Sequence, residues 1–328
     1  MLGVRFTVLT DDLVNSVTCE VEEFRTETVL GPLLAAQEAV SRLDERARRS
    51  PHRASWMQRL LFHEACACQL LEGDLVHLED LVLLDGDAFS GAPSMGLSSA
   101  LQILKLWRAA EQADASSALR APRPGLTGAG PLAEPEGEGA VDGAPTCSWV
   151  HLWRRVEAEA RTQPPLIAAA LVWDAWLSLL PESRSAWRAT LLAALTLKSH
   201  GLTPNLLLPL DIGWRVSKYR RRPGQDLATR IGGFLGWAEA AAAEGHKEFD
   251  SLTLAEGLLR RSLRGRRSNS RMPALVALLL ERPFVSAALA AKALRISRQA
   301  AHCMLKRIGS PVHRLTDRER CNAWSVIG

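Results

Sequence analysis

One tyrosine among 328 residues, against ten tryptophans and seven phenylalanines, is the first scarcity of this sequence. Runs of β-branched residues are also few, while Ala, Leu, Arg and Glu abound, which favours helix over sheet. No apolar run reaches the roughly 18 residues a membrane helix needs. No charged-apolar-small leader opens the sequence, so a cytoplasmic protein is expected. The six cysteines (19, 66, 68, 147, 303 and 321) are scattered. Only Cys66 and Cys68 are close, and C-x-C without a second pair is weak for a metal site. They read as small buried hydrophobes on different faces of a helix in a reduced compartment. No two of the eight histidines stand four apart, and no H-E-x-x-H, P-loop or G-x-G-x-x-G occurs. His63 beside Glu64 reads as a helix-surface pair. These absences leave no metal and no cofactor to expect, while 47% hydrophobic residues suffice for a sizeable core in two or three domains.

What is present is charge gathered at one end. Residues 260–328 hold 15 Lys/Arg against 3 Asp/Glu, a net of +12 in a chain whose total is +4. Segregation this sharp is the footprint of a polyanion-binding surface. It begins with an Arg-rich strap that includes Arg264, Arg266, Arg267 and Arg271.

Regular helical punctuation follows the strap. Pro273 suits the first turn of a helix, Leu275, Val276, Leu279 and Leu280 share one face, and Arg282-Pro283 ends the run. Ser286 is placed to cap a second helix over 287–294, and Ser297 a third over 298–307, with Arg295-Ile296-Ser297 as the tight turn. Ala290, Ala291, Leu294, Ile296, Ala301 and Met304 are the expected packing positions, Ala291 above all, because close helix crossing needs a small side chain. Arg295 stands where such turns usually carry glycine with positive φ. The opposite face of the third helix bears Arg298, Gln299, His302 and Lys306. Arg can grip guanine O6/N7 and Gln adenine N6/N7, so this face can read major-groove edges. From Val312 to Ile327 two short strands around a polar tip are expected, a wing that brings Arg314, Arg318 and Arg320 near phosphates. With Ser297 and the strap, these arginines are the backbone-positioning candidates.

Upstream, residues 1–25 read as a weakly ordered stretch or short strand. Helices are expected from near Pro32 to Arg49, over 56–71, 75–84 and 95–118, with Gly73 closing the second. Residues 120–147, dense in Pro, Gly and Glu, cannot bury enough surface to offset their ordering entropy and read as a flexible linker. Further helices are expected over 149–161, 165–179, 183–199, 226–244 and 252–261. The 165–199 pair is apolar enough to be central. Residues 205–212 form an apolar connection, and 214–222 add a second basic cluster. Gly232-Gly233 inside a helical pattern marks a close-packing or kink site. The resulting division is 1–119, 120–147, 148–259 and 260–328.

The stretch from Glu64 to Leu81 (E-A-C-A-C-Q-L-L-E-G-D-L-V-H-L-E-D-L) resembles the N-terminal helical segment of Fic-domain proteins, where the pattern is roughly E-A-x-x-S-S-x-I-E-G-T-x-x-T-L-x-D-L. In that family a Ser/Thr and a Glu four residues on form an inhibitory helix over the nucleotide γ-phosphate site. The resemblance gives those places to Cys68 and to Glu72-Gly73. Glu72 is the buried-acid candidate, capping backbone near Gly73 or gating a ligand. The Fic signature H-P-F-x-(D/E)-G-N-G-R aligns with Leu179 to Trp187, where the base histidine, the glycines and the arginine are all replaced. Glu182 and Arg184 read there as exposed loop residues. Without the base and the glycine cradle, AMP transfer has no chemistry to run on. Nearly the whole chain also resembles a bacterial family of unknown function with an appended helix-turn-helix, through Leu33 to Arg46, Glu72 to Leu83 and Arg282 to Leu294. In several members of that family the wing carries glycines where Asp317 and Glu319 stand here.

The expected architecture is mainly α: a helical, degenerate Fic-like body followed by a C-terminal winged helix-turn-helix. The expected function is DNA-binding transcriptional regulation by a non-catalytic pseudoenzyme, with double-stranded DNA and a second copy of the chain as partners. The alternative is a protein related to nucleotidyl (AMP) transferases, or a partner of one.

Overall fold

The computed structural model describes residues 26–113, 156, 158–179, 186–263, 271–308, 312–314 and 323–326. The expectations for residues 1–25, for the 120–147 linker, for most of the 149–161 helix and for Glu182 and Arg184 lie outside them. The described elements are α1 (Leu30–Arg49, entered by a 3-10 turn at Thr26–Val29), α2 (Arg53–Leu71), α3 (Leu78–Asp85) and α4 (Met95–Gln112), then α5 (Pro165–Leu179), α6 (Ala186–Ser199), α7 (Leu210–Val216) and α8 (Leu227–Leu263). The C-terminal region follows with α9 (Met272–Glu281), β1 (Val285–Ser286), α10 (Ala287–Leu294), α11 (Arg298–Ile308), β2 (Val312–Arg314) and β3 (Ala323–Val326). No helix of the described residues is long and apolar enough to cross a membrane. The fold is mainly α.

Packing does not follow sequence order. One compact unit comprises residues 1–41 and 112–240, the other residues 42–111 and 241–328. The helix-turn-helix region therefore shares a unit with α2, α3, α4 and the second part of α8.

In the first unit every residue from Leu166 to Trp176 is buried, so α5 is apolar all round and sits inside, against α6. The one charge in that run, Asp174, is neutralised by Arg221 at 2.8 Å and Arg230 at 3.1 Å. Trp173 packs edge-on to Trp237 (4.9 Å) and against Phe234 (5.4 Å). Trp187, aligned with the Fic arginine, lies in the core at 6% exposure. Buried Asp211 accepts a hydrogen bond from the Thr190 hydroxyl at 2.7 Å, and α7 begins within the expected 205–212 connection. Tyr219, the single tyrosine, lies against Gly233, and burial pushes its phenol above the ordinary value.

In the second unit Trp56 of α2 stacks on Phe249 of α8 at 4.1 Å, and its Nε1 donates to the Gly245 carbonyl at 3.1 Å. Two helices were expected over 226–244 and 252–261; α8 is one helix of 37 residues. Gly245 does not break it, because the missing side chain admits Leu43, whose Cδ2 would stand 2.7 Å from an added Cβ. The packing gained there outweighs the roughly 1 kcal/mol a helical glycine costs. Burial and the Arg46 guanidinium, 3.4 Å from its Nδ1, hold the His246 ring below its ordinary value. Glu64 is fully buried, which corrects the surface pairing expected of His63 and Glu64.

Adjacent glycines of α8 give opposite expectations. A Cβ on Gly233 would fall 2.0–2.3 Å from three atoms of the Tyr219 ring, whereas one on Gly232 meets nothing within 4 Å. Gly232→Ala should stabilise the protein by up to about 1 kcal/mol through helix propensity. Gly233→Ala should destabilise it by about 1–3 kcal/mol through overpacking. Thermal denaturation of the two variants checks the signs; equal shifts would show that the ring yields freely.

Candidate nucleic-acid interface

The C-terminal helices form where the punctuation puts them. Pro273 occupies the first turn of α9, which buries Met272, Leu275, Val276, Leu279 and Leu280. The Ser286 side chain caps α10 by accepting from the Leu289 N–H at 3.0 Å, and Ser297 caps α11 by accepting from the Ala300 N–H at 3.2 Å. Between them Arg295 takes the left-handed conformation (φ 53, ψ 53), while Ile296 N–H donates to the Ala291 carbonyl at 3.0 Å. The turn thus has its usual geometry with an arginine in the glycine place. Ala290 is fully buried, whereas Ala291, expected to be the closest-packed position, is half-buried. Leu305 is buried and Met304 only half-buried, so the packing stripe of α11 is Ala301, Leu305 and Ile308.

Capping and packing together turn one face of α11 outward. Arg298, Gln299 and Lys306 are exposed on it, and Ser297 is exposed at its start. His302 is half-buried, with its ring edge-on to Trp324 at 5.3 Å. Trp324 itself is buried, so the strand behind α11 fixes the orientation of that imidazole. Arg271 is exposed at the N-cap of α9. Three exposed groups that were not contact candidates from the sequence lie close by: Arg295 in the turn, and Cys303 and Arg307 on α11. Arg295 was legible only as a missing glycine, not as a surface cation.

The two expected strands pair antiparallel, with Val312 opposite Val326 and Arg314 opposite Trp324. A third strand not expected from the sequence, β1, pairs with β3 through Val285 and Ser286, giving the order β1-β3-β2. At two residues it is too short to show a period. Arg264, Arg266, Arg267, Arg318 and Arg320 lie outside the described residues, as do Asp317 and Glu319, and of Arg314 only the backbone is described.

The Fic-like candidates do not join this face. Cys68 is buried in α2. Glu72, the C-cap of that helix, is half-buried, with its backbone N–H directed at the Cys68 and Gln69 carbonyls (3.3 and 3.1 Å). Gly73 follows at φ +89, the left-handed closure that glycine favours. Glu72 is therefore not the buried acid; Glu64, two turns earlier in α2, is. The i, i+8 spacing from 64 to 72 lets the helix carry one carboxylate inside and leave the other at its end.

Comparison with known proteins finds two matched regions. Residues 149–264 match a family described as a protein of unknown function (DUF1612), and residues 272–327 match an HTH DNA binding domain. The chain is also similar to a protein of Sinorhizobium fredii (strain NBRC 101917 / NGR234) named "Uncharacterized protein y4cF". The two are 29% identical over 94% of this chain and 99% of the relative. The chain therefore carries a DUF1612 domain followed by a C-terminal helix-turn-helix DNA-binding domain.

The turn provides a direct check. A left-handed non-glycine residue costs roughly 1–2 kcal/mol, of which the greater chain entropy of glycine recovers only part. Arg295→Gly should therefore raise stability by about 0.5–1 kcal/mol in denaturant unfolding. A loss of stability would mean that the arginine side chain holds the turn.

Proposed function

We propose that this chain, a DUF1612 domain joined to a helix-turn-helix, is a transcriptional regulator that reads double-stranded DNA with α11. The observation that carries the reading is the exposed face of Arg298, Gln299 and Lys306 on a helix capped by Ser297 and seated on α10 through Ala290 and Ala301. In this reading Arg298 and Gln299 address base edges from the first turn, with Lys306 and the oriented ring of His302 behind them. The strap residues Arg264, Arg266, Arg267 and Arg271 neutralise phosphates, and Ser297 at the start of α11 hydrogen-bonds a phosphate oxygen there. The β2–β3 pair acts as a wing that carries Arg314, Arg318 and Arg320 to the backbone.

The body is proposed to be non-catalytic and to serve dimerisation, sensing or partner binding. Trp187, where the Fic-like resemblance expects an arginine for phosphate, is an interior residue, and this supports a core role for the segment. A two-fold dimer would set two α11 helices on half-sites about one helical turn apart. Labelled ATP is expected to transfer nothing to this chain or to added protein; label on either would restore an AMP transferase.

Binding to duplex DNA by the full chain should weaken as salt rises, with a log–log slope of roughly 0.9 per neutralised phosphate. Arg298→Ala should relax preference at one base pair at a cost of about 1–3 kcal/mol. Arg266→Ala should weaken all sequences alike and lower the slope by about one contact. Equal losses on specific and random duplex for Arg298→Ala would move that residue to the backbone class. No duplex binding at low salt would end the reading.

A further inference from the structure

The basic cluster after α7 is left unused by the reading above, and its construction differs from that of a solvated loop. Burial alternates along it: Ser217, Tyr219 and Arg221 turn inward, while Lys218, Arg220 and Arg222 are exposed, as is Arg215 on the last turn of α7. The inward residues are anchored. Tyr219 lies against Gly233 and donates to Gln225 Oε1 at 3.0 Å, and Arg221 reaches Asp174 and the Ser178 hydroxyl (2.8 and 2.7 Å). Gln225 Oε1 also accepts from the Arg222 N–H at 2.7 Å. Arg220 props the turn from outside, its guanidinium 4.3 Å over the Trp214 ring and its Nη1 within 2.7–3.1 Å of the Trp214, Ser217 and Tyr219 carbonyls.

Among the described residues none of these four outward cations is ion-paired with a carboxylate. Two acids lie four residues from the ends of the cluster: Asp211 is buried and accepts from the Thr190 hydroxyl at 2.7 Å, and Asp226 accepts from the Thr229 N–H and hydroxyl (2.8 and 2.7 Å), bonds that hold its pKa down. Four like charges within eight residues repel one another, and the anchored loop holds them close together with no carboxylate paired to any of them among the described residues. Such a surface is preorganised for a polyanion. The span from residue 218 to 222 is at most about 14 Å, over which one strand of a duplex presents about four phosphates.

We propose that Arg215, Lys218, Arg220 and Arg222 form a second DNA-contact site, one that grips the phosphodiester backbone of duplex DNA without reading sequence. The choice of DNA rests on the helix-turn-helix reading, since that module brings duplex to this same chain.

The test uses the full chain with Arg215→Gln, Lys218→Gln and Arg222→Gln combined, leaving Arg220 to hold the loop. A companion carries Arg215→Lys and Arg222→Lys. Binding to specific and random duplex is titrated against salt in the natural background and in one bearing Arg298→Ala and Lys306→Ala. The glutamine variant should bind both duplexes about tenfold or more weakly near 0.1 M salt, with the slope reduced by up to about 2.7, in both backgrounds. The lysine variant should bind like the natural chain. An unchanged slope and affinity for the glutamine variant, beside a loss for Arg298→Ala/Lys306→Ala, would overturn the second site and leave the reading helix intact. The reverse pattern would keep the second site and remove the reading helix. Equal weakening by the lysine variant, or preference of the same residues for single-stranded RNA or an acidic polypeptide over duplex, would overturn the proposal.

Discussion

Arg282 is the residue on which the placement of the helix-turn-helix depends. It ends α9, and three separate groups of its own unit hold it. Its guanidinium pairs with Asp85 at 2.9 Å and lies 5.7 Å from the Phe62 ring centre, while its carbonyl accepts from Arg59 Nη1 at 3.0 Å. Asp85 also receives Arg108, at 2.6 and 3.2 Å, and the Arg108 guanidinium stands 5.0 Å from the same phenyl ring. Arg59 is paired in turn with Glu248. Charges taken this far from water are costly to bury, and removing one partner strands the others. The network therefore specifies one position for the start of the helix-turn-helix rather than tethering it. Close by, Gly86 lets Leu289 of α10 approach to a distance any side chain would forbid, and Asp87 pairs with Lys292 at 2.7 Å.

With the base of the module fixed, its local chemistry sets the outward face. Ser286 and Ser297 satisfy N–H groups at the starts of α10 and α11, and Arg295 supplies the reversal between them. The three-stranded sheet closes behind α11 through Trp324, which is buried and orients His302. What remains for solvent is a polar face with three long side chains able to reach a groove. In the proposed reading, positive charge supplies affinity without specificity, and Arg298 and Gln299 supply the difference between sites.

Much of this was legible because it is local. Caps, a proline at a helix start and apolar spacing act over three or four residues, so the bounds of α5 and α10 and both serine caps could be read directly. The outward face of α11 was legible for the same reason. What was not legible depends on partners far along the chain. The unbroken α8 requires Leu43 and Trp56 at Gly245, some two hundred residues away. The burial of Glu64 instead of Glu72, and of Ala290 instead of Ala291, depends on which helices cross and at what angle. The grouping of 42–111 with 241–328 includes the contacts of Arg59, Asp85 and Arg282, each of which alone looks like a surface charge.

The helix-turn-helix is built into a unit with α2 and α3 and does not hang from the chain as a separate module. Amide hydrogen exchange of the free full-length protein in low denaturant addresses it, comparing segments 53–85 and 272–308. In a shared unit both segments open with one free energy, and Asp85→Asn lowers that value in both. Exchange through 272–308 at its own lower free energy, untouched by Asp85→Asn, would contradict it.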